Sequence, residues 1–503
     1  MPMFVTNKIK LSETSSKLIM LITYNAIFII SFLYKVFNSF YIFEGGLFMS
    51  SYYTPSGKSD INIPEVLAHI RENPLFFTAK NRLYVYNETA CYFAHIPKDE
   101  LPRFVLSFFS PDFRGEVRTS TLNEIVRRLL VLPETDVNLN ERRKGSQHLI
   151  NLRNGVYDLK EKKFTQREKL TNKQLSEWCF TYCFDFDYLD EAVLEHAPCY
   201  LEFLKSSLDF DTDKSKARLL SEIIGVCLSG VQTHRHMYIL MGVTGSGKSV
   251  IADFLHRIVI PETAVTNFGL QDISGRFNKQ HLENAVLNIC REITANRIKD
   301  TDTLKELIAD EPIFVEGKGK EGYTAYPHVK LFSCTNQLPR FVNMDASGNQ
   351  ALLNRMIVLR FNHSIPDEKI DRGLVDKLLA ERDVICSLAV KSLQRLYDNG
   401  FRFTLPEDTR TMLESYHRED ISLELFIKQH CRISADDKVH KKDFVSAYNR
   451  FCTENFFTPY KPTEISQFIS TNFPAINCER FVINGKYLWG WKGISIKEEY
   501  YGK

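Results

Sequence analysis

Residues 236–255 read HMYILMGVTGSGKSVIADFL, and this stretch decides the fold of the central part of the chain. It opens with a largely apolar run that has the length of a buried strand, and its apolar residues after Ser249 recur with helical spacing. Between the two lies the pattern G-x-x-x-x-G-K-S, which joins a strand to a helix in phosphate-binding loops. The stretch predicts an α/β fold with a phosphate site where the strand ends.

Each residue type in this pattern has a chemical role. Glycines let the backbone curl until its N–H groups point at a phosphate, beside the positive end of the following helix. Lys248 is predicted to neutralise the β- and γ-phosphate oxygens of ATP, and Ser249 to offer its hydroxyl to Mg²⁺. The predicted nucleotide contacts are Gly242, Val243, Thr244, Gly245, Ser246, Gly247, Lys248 and Ser249.

Hydrolysis needs further groups at the ends of neighbouring strands. Glu292 follows an apolar run and is predicted to hold the metal and polarise water, a surface carboxylate being the alternative. Asn336 follows another such run and can bond the γ-phosphate, although asparagine is also a common turn residue. Arg355 and Arg360 flank a third strand, and either can act as an arginine finger across a subunit boundary.

The composition is that of an ordinary globular protein. Among 503 residues, 44% are hydrophobic and 25% charged, which excludes a disordered, collagen-like or coiled-coil chain. The formal net charge is +2, so nucleic acid would have to be bound by local patches. The 11 cysteines lie mostly within apolar runs, and we interpret them as reduced thiols of a cytoplasmic protein, with no zinc site.

The first 48 residues are interpreted separately. Residues 18–34 are apolar enough to suggest a membrane span, although Thr23, Asn25 and Ser31 dilute the run. Residues 44–46 read EGG, and codons for these can spell a bacterial ribosome-binding site ahead of Met49. Our hypothesis is that residues 1–48 are translated upstream sequence and that the native start is Met49. A membrane segment is the alternative, and we expect no stable membrane association.

Several motifs occur in a fixed order along the chain. They are the phosphate loop, Glu292, residues 304–310, the lysine-bearing residues 316–320, Asn-Gln-Leu-Pro at 336–339 and the block at 354–361. Together they resemble a superfamily 3 helicase of the phage and plasmid primase-helicase type, which large DNA viruses such as poxviruses also carry. The resemblance runs from Asn151 to Lys503 and is weakest in the tail.

The resemblance implies an AAA+-like P-loop NTPase core with an N-terminal α/β region and a C-terminal winged-helix-like domain. The expected domains are an N-terminal region at 49–135, a helicase-preceding domain at 136–215, the ATPase at 216–400 and the winged helix at 401–503. It also implies an ATP-dependent homo-hexameric helicase that replicates a phage, plasmid or integrated mobile element. Expected partners are single- and double-stranded DNA and an initiator, primase or polymerase.

Within that family, the resemblance assigns roles to individual residues. Glu292 polarises water, Asn336 senses the γ-phosphate and Arg355 is the finger. A hairpin at 313–329 enters the DNA channel, where Lys318 and Lys320 contact phosphates and Tyr323 or Tyr326 stacks on bases. The sequence departs from the family at Arg291, because two adjacent acids commonly stand at the second motif.

Two other functions remain open at this point. One is an origin-binding initiator whose ATP state controls assembly, and the other is a primase-helicase whose Asp185/Asp187 or Asp209/Asp211 pairs hold metal ions. In the tail, basic residues interleaved with aromatic residues can bind duplex DNA, a packing module being the rival interpretation. They are Lys441, Lys442, Arg450, Lys461, Tyr448, Phe456 and Tyr460.

Overall fold

The computed structural model describes residues 61–72, 75–231, 236–293, 297–298, 301–316, 321–341, 352–420, 422–454, 459–483 and 485–501. Residues 1–48, and Lys318 and Lys320 of the predicted channel hairpin, therefore lie outside the described residues. No helix in the described part of the chain is long and apolar enough to cross a membrane.

The chain divides into two compact units. The first comprises the described residues up to Ser146 together with Arg167–Cys183, and the second comprises Gln147–Gln166 and the chain from Phe184 onward. The expected domain boundaries at 135/136, 215/216 and 400/401 rest on the resemblance and stay predictions.

The first unit surrounds an antiparallel sheet with helices. Its strands are β1 (Phe76–Ala79), β2 (Arg82–Asn87) and β3 (Tyr92–Ile96), in the order β1-β2-β3. Its helices are α1 (Ile63–Glu72), α2 (Leu101–Leu106), α3 (Thr119–Leu129), α4 (Leu139–Ser146) and α5 (Asn172–Trp178). One face of α3 contributes Leu122, Ile125 and Leu129 to the core, which is the spacing of an amphipathic helix.

The second unit begins with a small sheet. Strands β4 (Leu149–Leu152), β5 (Gly155–Asp158) and β6 (Lys163–Gln166) form antiparallel pairs, with Asn154 in the turn between β4 and β5. Strands β7 (Cys183–Phe184) and β9 (Val259–Ile260) complete the order β6-β5-β4-β7-β9. Two helices follow, α6 (Pro198–Leu208) and α7 (Lys214–Cys227).

A parallel sheet forms the centre of this unit. Its strands are β8 (Met237–Gly242), β10 (Val265–Thr266), β11 (Leu287–Cys290), β15 (Lys330–Thr335) and β17 (Met356–Phe361), in the order β10-β11-β15-β8-β17. Every neighbouring pair is parallel. Residues 237–240 are fully buried, as expected for a parallel strand covered on both faces. The predicted mixed α/β fold with a parallel sheet is confirmed.

Short elements connect these strands. Helices α8 (Lys248–Arg257), α9 (Lys279–Leu282) and α10 (Asp302–Ile308) lie between β8 and the antiparallel hairpin of β13 (Ile313–Val315) and β14 (Tyr323–Ala325). Strands β12 (Arg297–Ile298) and β16 (Arg340–Phe341) form a separate parallel pair. Helices α11 (Leu374–Ala380), α12 (Arg382–Asp398) and α13 (Glu407–Asp420) follow β17.

The tail folds around its own hydrophobic core. It contains α14 (Ser422–His430), β18 (Cys431–His440), α15 (Lys441–Glu454), α16 (Pro462–Asn472), β19 (Asn477–Ile483), β20 (Lys486–Ile496) and α17 (Glu498–Tyr501). The strands form an antiparallel sheet in the order β18-β20-β19, and Phe426, Phe444, Tyr448 and Trp491 fill the core. The winged-helix assignment of this region stays a prediction.

Candidate functional site

The glycine-rich loop leaves the carboxyl end of β8 and enters α8 without an intervening element. Gly245 and Gly247 have φ angles of +73° and +95°, which disfavour any residue with a Cβ atom. A Cβ atom on Gly242 would lie 2.0 Å from the carbonyl oxygen of Phe361 on the adjacent strand β17. The loop conformation therefore needs the glycines that the sequence provides.

Lys248 begins α8 and is 8% exposed. Its Nζ atom donates hydrogen bonds to the carbonyl oxygens of Gly242 and Val243, both at 2.7 Å, and lies 3.2 Å from Ser246 Oγ. Burial lowers the pKa of this ammonium group, although Glu292 acts in the opposite direction. The loop thus concentrates a buried positive charge and a helix N-terminus at one point.

Two predicted residues lie at the same edge of the sheet as the loop, because their strands are parallel to β8. Asn336 follows β15, next to β8, and its Nδ2 atom lies 3.4 Å from Thr244 Oγ1. Glu292 follows β11, two strands from β8 or about 10 Å across the sheet. Its neighbour Arg291 forms an ion pair with Asp253 on α8.

The two candidate finger arginines occupy opposite ends of β17. Arg355 precedes the strand, and its carbonyl oxygen accepts a hydrogen bond from the Met237 N–H at the start of β8. Arg360 lies at the loop end, where its Nη1 atom donates to the carbonyl oxygen of Asp408 at 3.2 Å. The length of β8 therefore separates Arg355 from the loop at the other end of that strand.

The segment that follows β17 forms one wall of the loop, and the sequence analysis did not identify it. Ser364 Oγ donates to the carbonyl oxygen of Thr244 at 3.1 Å, and the Ile365 N–H donates to that of Gly245 at 3.0 Å. These bonds fix the outer turn of the loop. Its only sequence signal is its position directly after a strand that neighbours the loop strand.

A buried ion-pair network, also missed, supports this wall. The Lys216 ammonium lies 2.9 Å from Asp209 and 3.1 Å from Asp408, and its side chain is 5% exposed. Asp209 also contacts His363 Nε2 at 2.6 Å, and Asn362 Nδ2 donates to Asp408 at 2.9 Å. The network joins the turn between α6 and α7, the wall segment and α13.

Helix α6 covers the loop from another side. A Cβ atom on Gly247 would lie 2.8 Å from the Phe203 ring and 3.1 Å from Ser207 Oγ. Ser207 is fully buried, and its hydroxyl has no hydrogen-bond partner in the described part of the chain. Close packing against α6 is thus a second reason for glycine at position 247.

Three of the four aspartates in the two D-x-D pairs form ion pairs. Arg153 lies 3.5 Å from Asp185 and 3.1 Å from Asp187, while Asp209 belongs to the network just described. Among the described residues, no group of three or more His, Cys, Asp or Glu side chains is arranged to hold a metal ion. The structure therefore gives no geometric support to a metal site at either pair.

The hairpin predicted at 313–329 contains the antiparallel strands β13 and β14, and its place in a DNA channel stays a prediction. Tyr323 is half-buried against the hydrophobic core around the parallel sheet, and its hydroxyl donates to Glu283 at 2.8 Å. Tyr326 is 46% exposed instead. Of the two tyrosines considered for base stacking, the structure thus leaves Tyr326 more accessible.

In the tail, the predicted mixture of basic and aromatic residues does not form one surface. Tyr448 is fully buried and shares a hydrogen bond of 2.7 Å with Ser422, while Arg450 donates to the carbonyl oxygen of Tyr500. Phe456 lies outside the described residues. The helical period of α15 places Tyr448 on its inner face, so the interpretation of this residue as a DNA contact was wrong.

Comparison with known proteins adds three findings. No curated protein matches this chain. Two apo structures of the NrS-1 C-terminal region are similar at 14% and 13% identity, with TM-scores of 0.41 and 0.39. They cover 82% and 84% of this chain and 95% and 97% of their own chains. A family of unknown function, DUF5906, matches residues 240–355, the segment that contains the glycine-rich loop, Glu292, Asn336 and Arg355.

Proposed function

We propose that this protein is an ATP-dependent DNA helicase with an AAA+-like, superfamily 3 core that replicates a phage, plasmid or integrated mobile element. The observation that carries the proposal is the glycine-rich loop between β8 and α8, with Lys248 buried beneath it. A loop of this shape, at the carboxyl edge of a parallel sheet, suits the phosphates of a nucleotide.

The residues around the loop have different roles in hydrolysis. Backbone N–H groups and Lys248 hold the phosphates, and Asn336 beside Thr244 senses the γ-phosphate. Mg²⁺ would neutralise charge between the β- and γ-phosphates, and the exposed oxygens of Ser249 and Glu292 are ligands of the type it prefers. Glu292 orients the attacking water alone, because Arg291 occupies the place of a second acid.

The position of Arg355 supports a ring of subunits. An arginine finger must reach the γ-phosphate, yet Arg355 lies at the far end of β17 from its own loop. It can serve only a loop presented by another copy of the chain, which is the arrangement of a hexamer with ATP between subunits. Arg360, bonded to Asp408, supports the wall of its own site instead.

DNA contacts are proposed at the β13–β14 hairpin. Lys318 and Lys320 bind backbone phosphates, and Tyr326 stacks on bases because its ring is exposed. Tyr323 holds the base of the hairpin through Glu283. The partners are single- and double-stranded DNA and an initiator, primase or polymerase of the element or its host.

Displacement of a labelled strand from a forked duplex tests this function. The full chain should unwind with ATP and Mg²⁺, and Lys248→Ala should not, because the phosphates lose their buried cation. Arg355→Ala and Lys248→Ala, each inactive alone, should regain partial activity when mixed, because mixed rings contain intact interfaces. Hydrolysis stimulated by DNA without unwinding would favour the initiator, and absence of hydrolysis would refute the motor.

A further inference from the structure

The β19–β20 hairpin carries aromatic rings that its own core does not cover. Residues 487, 489 and 491 alternate along β20 and therefore share one face of the sheet. Trp491 is 2% exposed and packs on Phe444, with ring centroids 5.1 Å apart. Trp489 is 50% exposed and Tyr487 63% exposed. The face is thus covered at its base and open toward the turn.

The opposite strand adds a cation to the open part of this face. Arg480 lies directly across from Trp489, and its guanidinium carbon is 5.1 Å from the ring centroid. Val482 lies across from Tyr487 and is 52% exposed. The open face therefore combines two rings, one guanidinium group and one apolar side chain.

The other face of the hairpin packs against β18. The Phe481 ring stacks on His440 at 5.3 Å, and the Lys438 ammonium lies 5.7 Å from the same ring. Gly490 lets Phe481 and the backbone of Val439 approach, because a Cβ atom there would lie 2.3 Å and 2.4 Å from them. The open rings of Trp489 and Tyr487 are thus carried by a supported strand.

The charge of this stretch selects an anionic partner. From Arg480 to Lys497 the sequence contains four basic residues and no acidic residue; Arg480 lies on the open face, whereas Lys492 lies on the other face and pairs with Glu479 at 3.9 Å. Exposed rings flanked by cations suit a chain of phosphates and bases, since bases stack on the rings while cations meet the phosphates. A duplex would offer only base edges in its grooves, because its base faces are already stacked on one another.

We propose that the open face of the β19–β20 hairpin binds an unpaired nucleic acid strand by base stacking on Trp489 and Tyr487, with Arg480 near the phosphates. This surface is formed by a different part of the chain from the β13–β14 hairpin, and Lys441 of α15 lies 5.1 Å from the Trp491 ring at its covered base. Binding here requires neither ATP nor a ring, so the inference is independent of the proposed motor.

Titration of the full chain with an end-labelled oligothymidylate of about 20 nucleotides, without ATP, tests the proposal, with tryptophan quenching and the anisotropy of the label both recorded so that the affinity of every variant is measured. The chain has three tryptophans, of which Trp491 is buried and Trp178 half-buried, so Trp489 should supply most of any quenching. Trp489→Phe should abolish that quenching while keeping the affinity within a few fold. Trp489→Ala should weaken binding about 5- to 150-fold. Ile433→Ser, at an equally exposed apolar position of β18, should bind as the unmodified protein does.

Several results would overturn the proposal. Quenching that persists in Trp489→Phe would place the bound strand elsewhere, as would wild-type affinity in Trp489→Ala. A fully paired hairpin duplex bound as tightly as oligothymidylate, and weakened equally by Trp489→Ala, would indicate groove binding. Equal weakening in Ile433→Ser would show that the effect is not local to the open face. Failure of strand displacement alone would leave this proposal intact.

Discussion

Replacing Lys216 with methionine tests whether a buried cation stabilises the wall of the loop site. Its ammonium group contacts Asp209 and Asp408 at 2.9 and 3.1 Å, with the lysine side chain 5% exposed. Removing one partner of a buried ion pair typically costs about 3–5 kcal/mol, because the remaining charge stays desolvated. Asp209 and Asp408 retain 29% and 28% exposure, so water relieves part of this penalty. We expect the free energy of unfolding to fall by about 2–4 kcal/mol.

Urea unfolding followed by far-UV circular dichroism measures this loss. With an m-value of about 2–3 kcal/mol/M, the midpoint of the transition should fall by about 0.7–2 M. Lys205→Met is the matched control, because Lys205 pairs with Glu202 at 3.0 Å on the exposed surface of α6. It should leave the midpoint nearly unchanged, since exposed ion pairs contribute little. Equal midpoints for the two variants would refute the role of burial.

The same variant should show a defined pH dependence. Burial raises the pKa of the Asp209 and Asp408 carboxyls, but hydrogen bonds from neighbours including Lys216 outweigh it and lower both. A depressed pKa stabilises the fold above the unfolded value of about 3.9, and this stabilisation is lost as pH falls through the folded value. The gap between wild type and Lys216→Met should therefore narrow below about pH 4. A constant gap from pH 7 to pH 3 would contradict this linkage.

Four further substitutions separate packing, charge and loop geometry. Gly242→Ala should slow ATP hydrolysis about 100-fold, because its methyl group must displace the neighbouring strand by about 1 Å. Trp491→Ala should lower the free energy of unfolding by about 3–5 kcal/mol in urea, and Trp489→Ala by less than about 0.5 kcal/mol. Glu222→Gln should lower it by about 2–4 kcal/mol, because the fully buried carboxylate loses its ion pair with Arg395 and its charge-assisted hydrogen bonds from Thr404.

Each of these has its own control. A Cβ atom on Gly115 would meet no atom within 4 Å, so Gly115→Ala should hydrolyse ATP normally. Gly242→Ala protein with the same rate would contradict the clash. Similar losses in the two tryptophan variants would contradict the contrast between covered and open rings. An unchanged unfolding midpoint for Glu222→Gln would show that the site does not require the charge.

The loop site could be predicted from the sequence because its signals are local. The strand, the glycines and the helix lie within residues 236–255, and each has its own period or backbone requirement. The positions of Glu292 and Asn336 followed from one further rule, since consecutive parallel strands end at the same edge of a sheet. Element type and loop geometry were therefore accessible without a structure.

The wall of the site could not be predicted from the sequence in the same way. Lys216 and Asp408 are distant in sequence, and charged residues usually lie on the surface, so nothing marked this pair as buried. The prediction for Tyr448 was wrong for a related reason. Its basic neighbours suggested a DNA interface, whereas its position on the helix places it in the core. Long-range pairing decided both cases, and single-residue patterns do not contain it.

The hydrogen bonds of Lys248 determine what an incoming anion can gain. The ammonium group already donates to the Gly242 and Val243 carbonyls. A phosphate oxygen therefore replaces a main-chain acceptor, and its enthalpic gain is the difference between two charge-assisted bonds. Because the loop is curled beforehand, little backbone entropy is lost in the exchange. A ligand that offers several acceptor oxygens to the loop at once should therefore bind more tightly than one that replaces a single carbonyl. This favours a triphosphate over a single phosphate that carries the same charge next to Lys248.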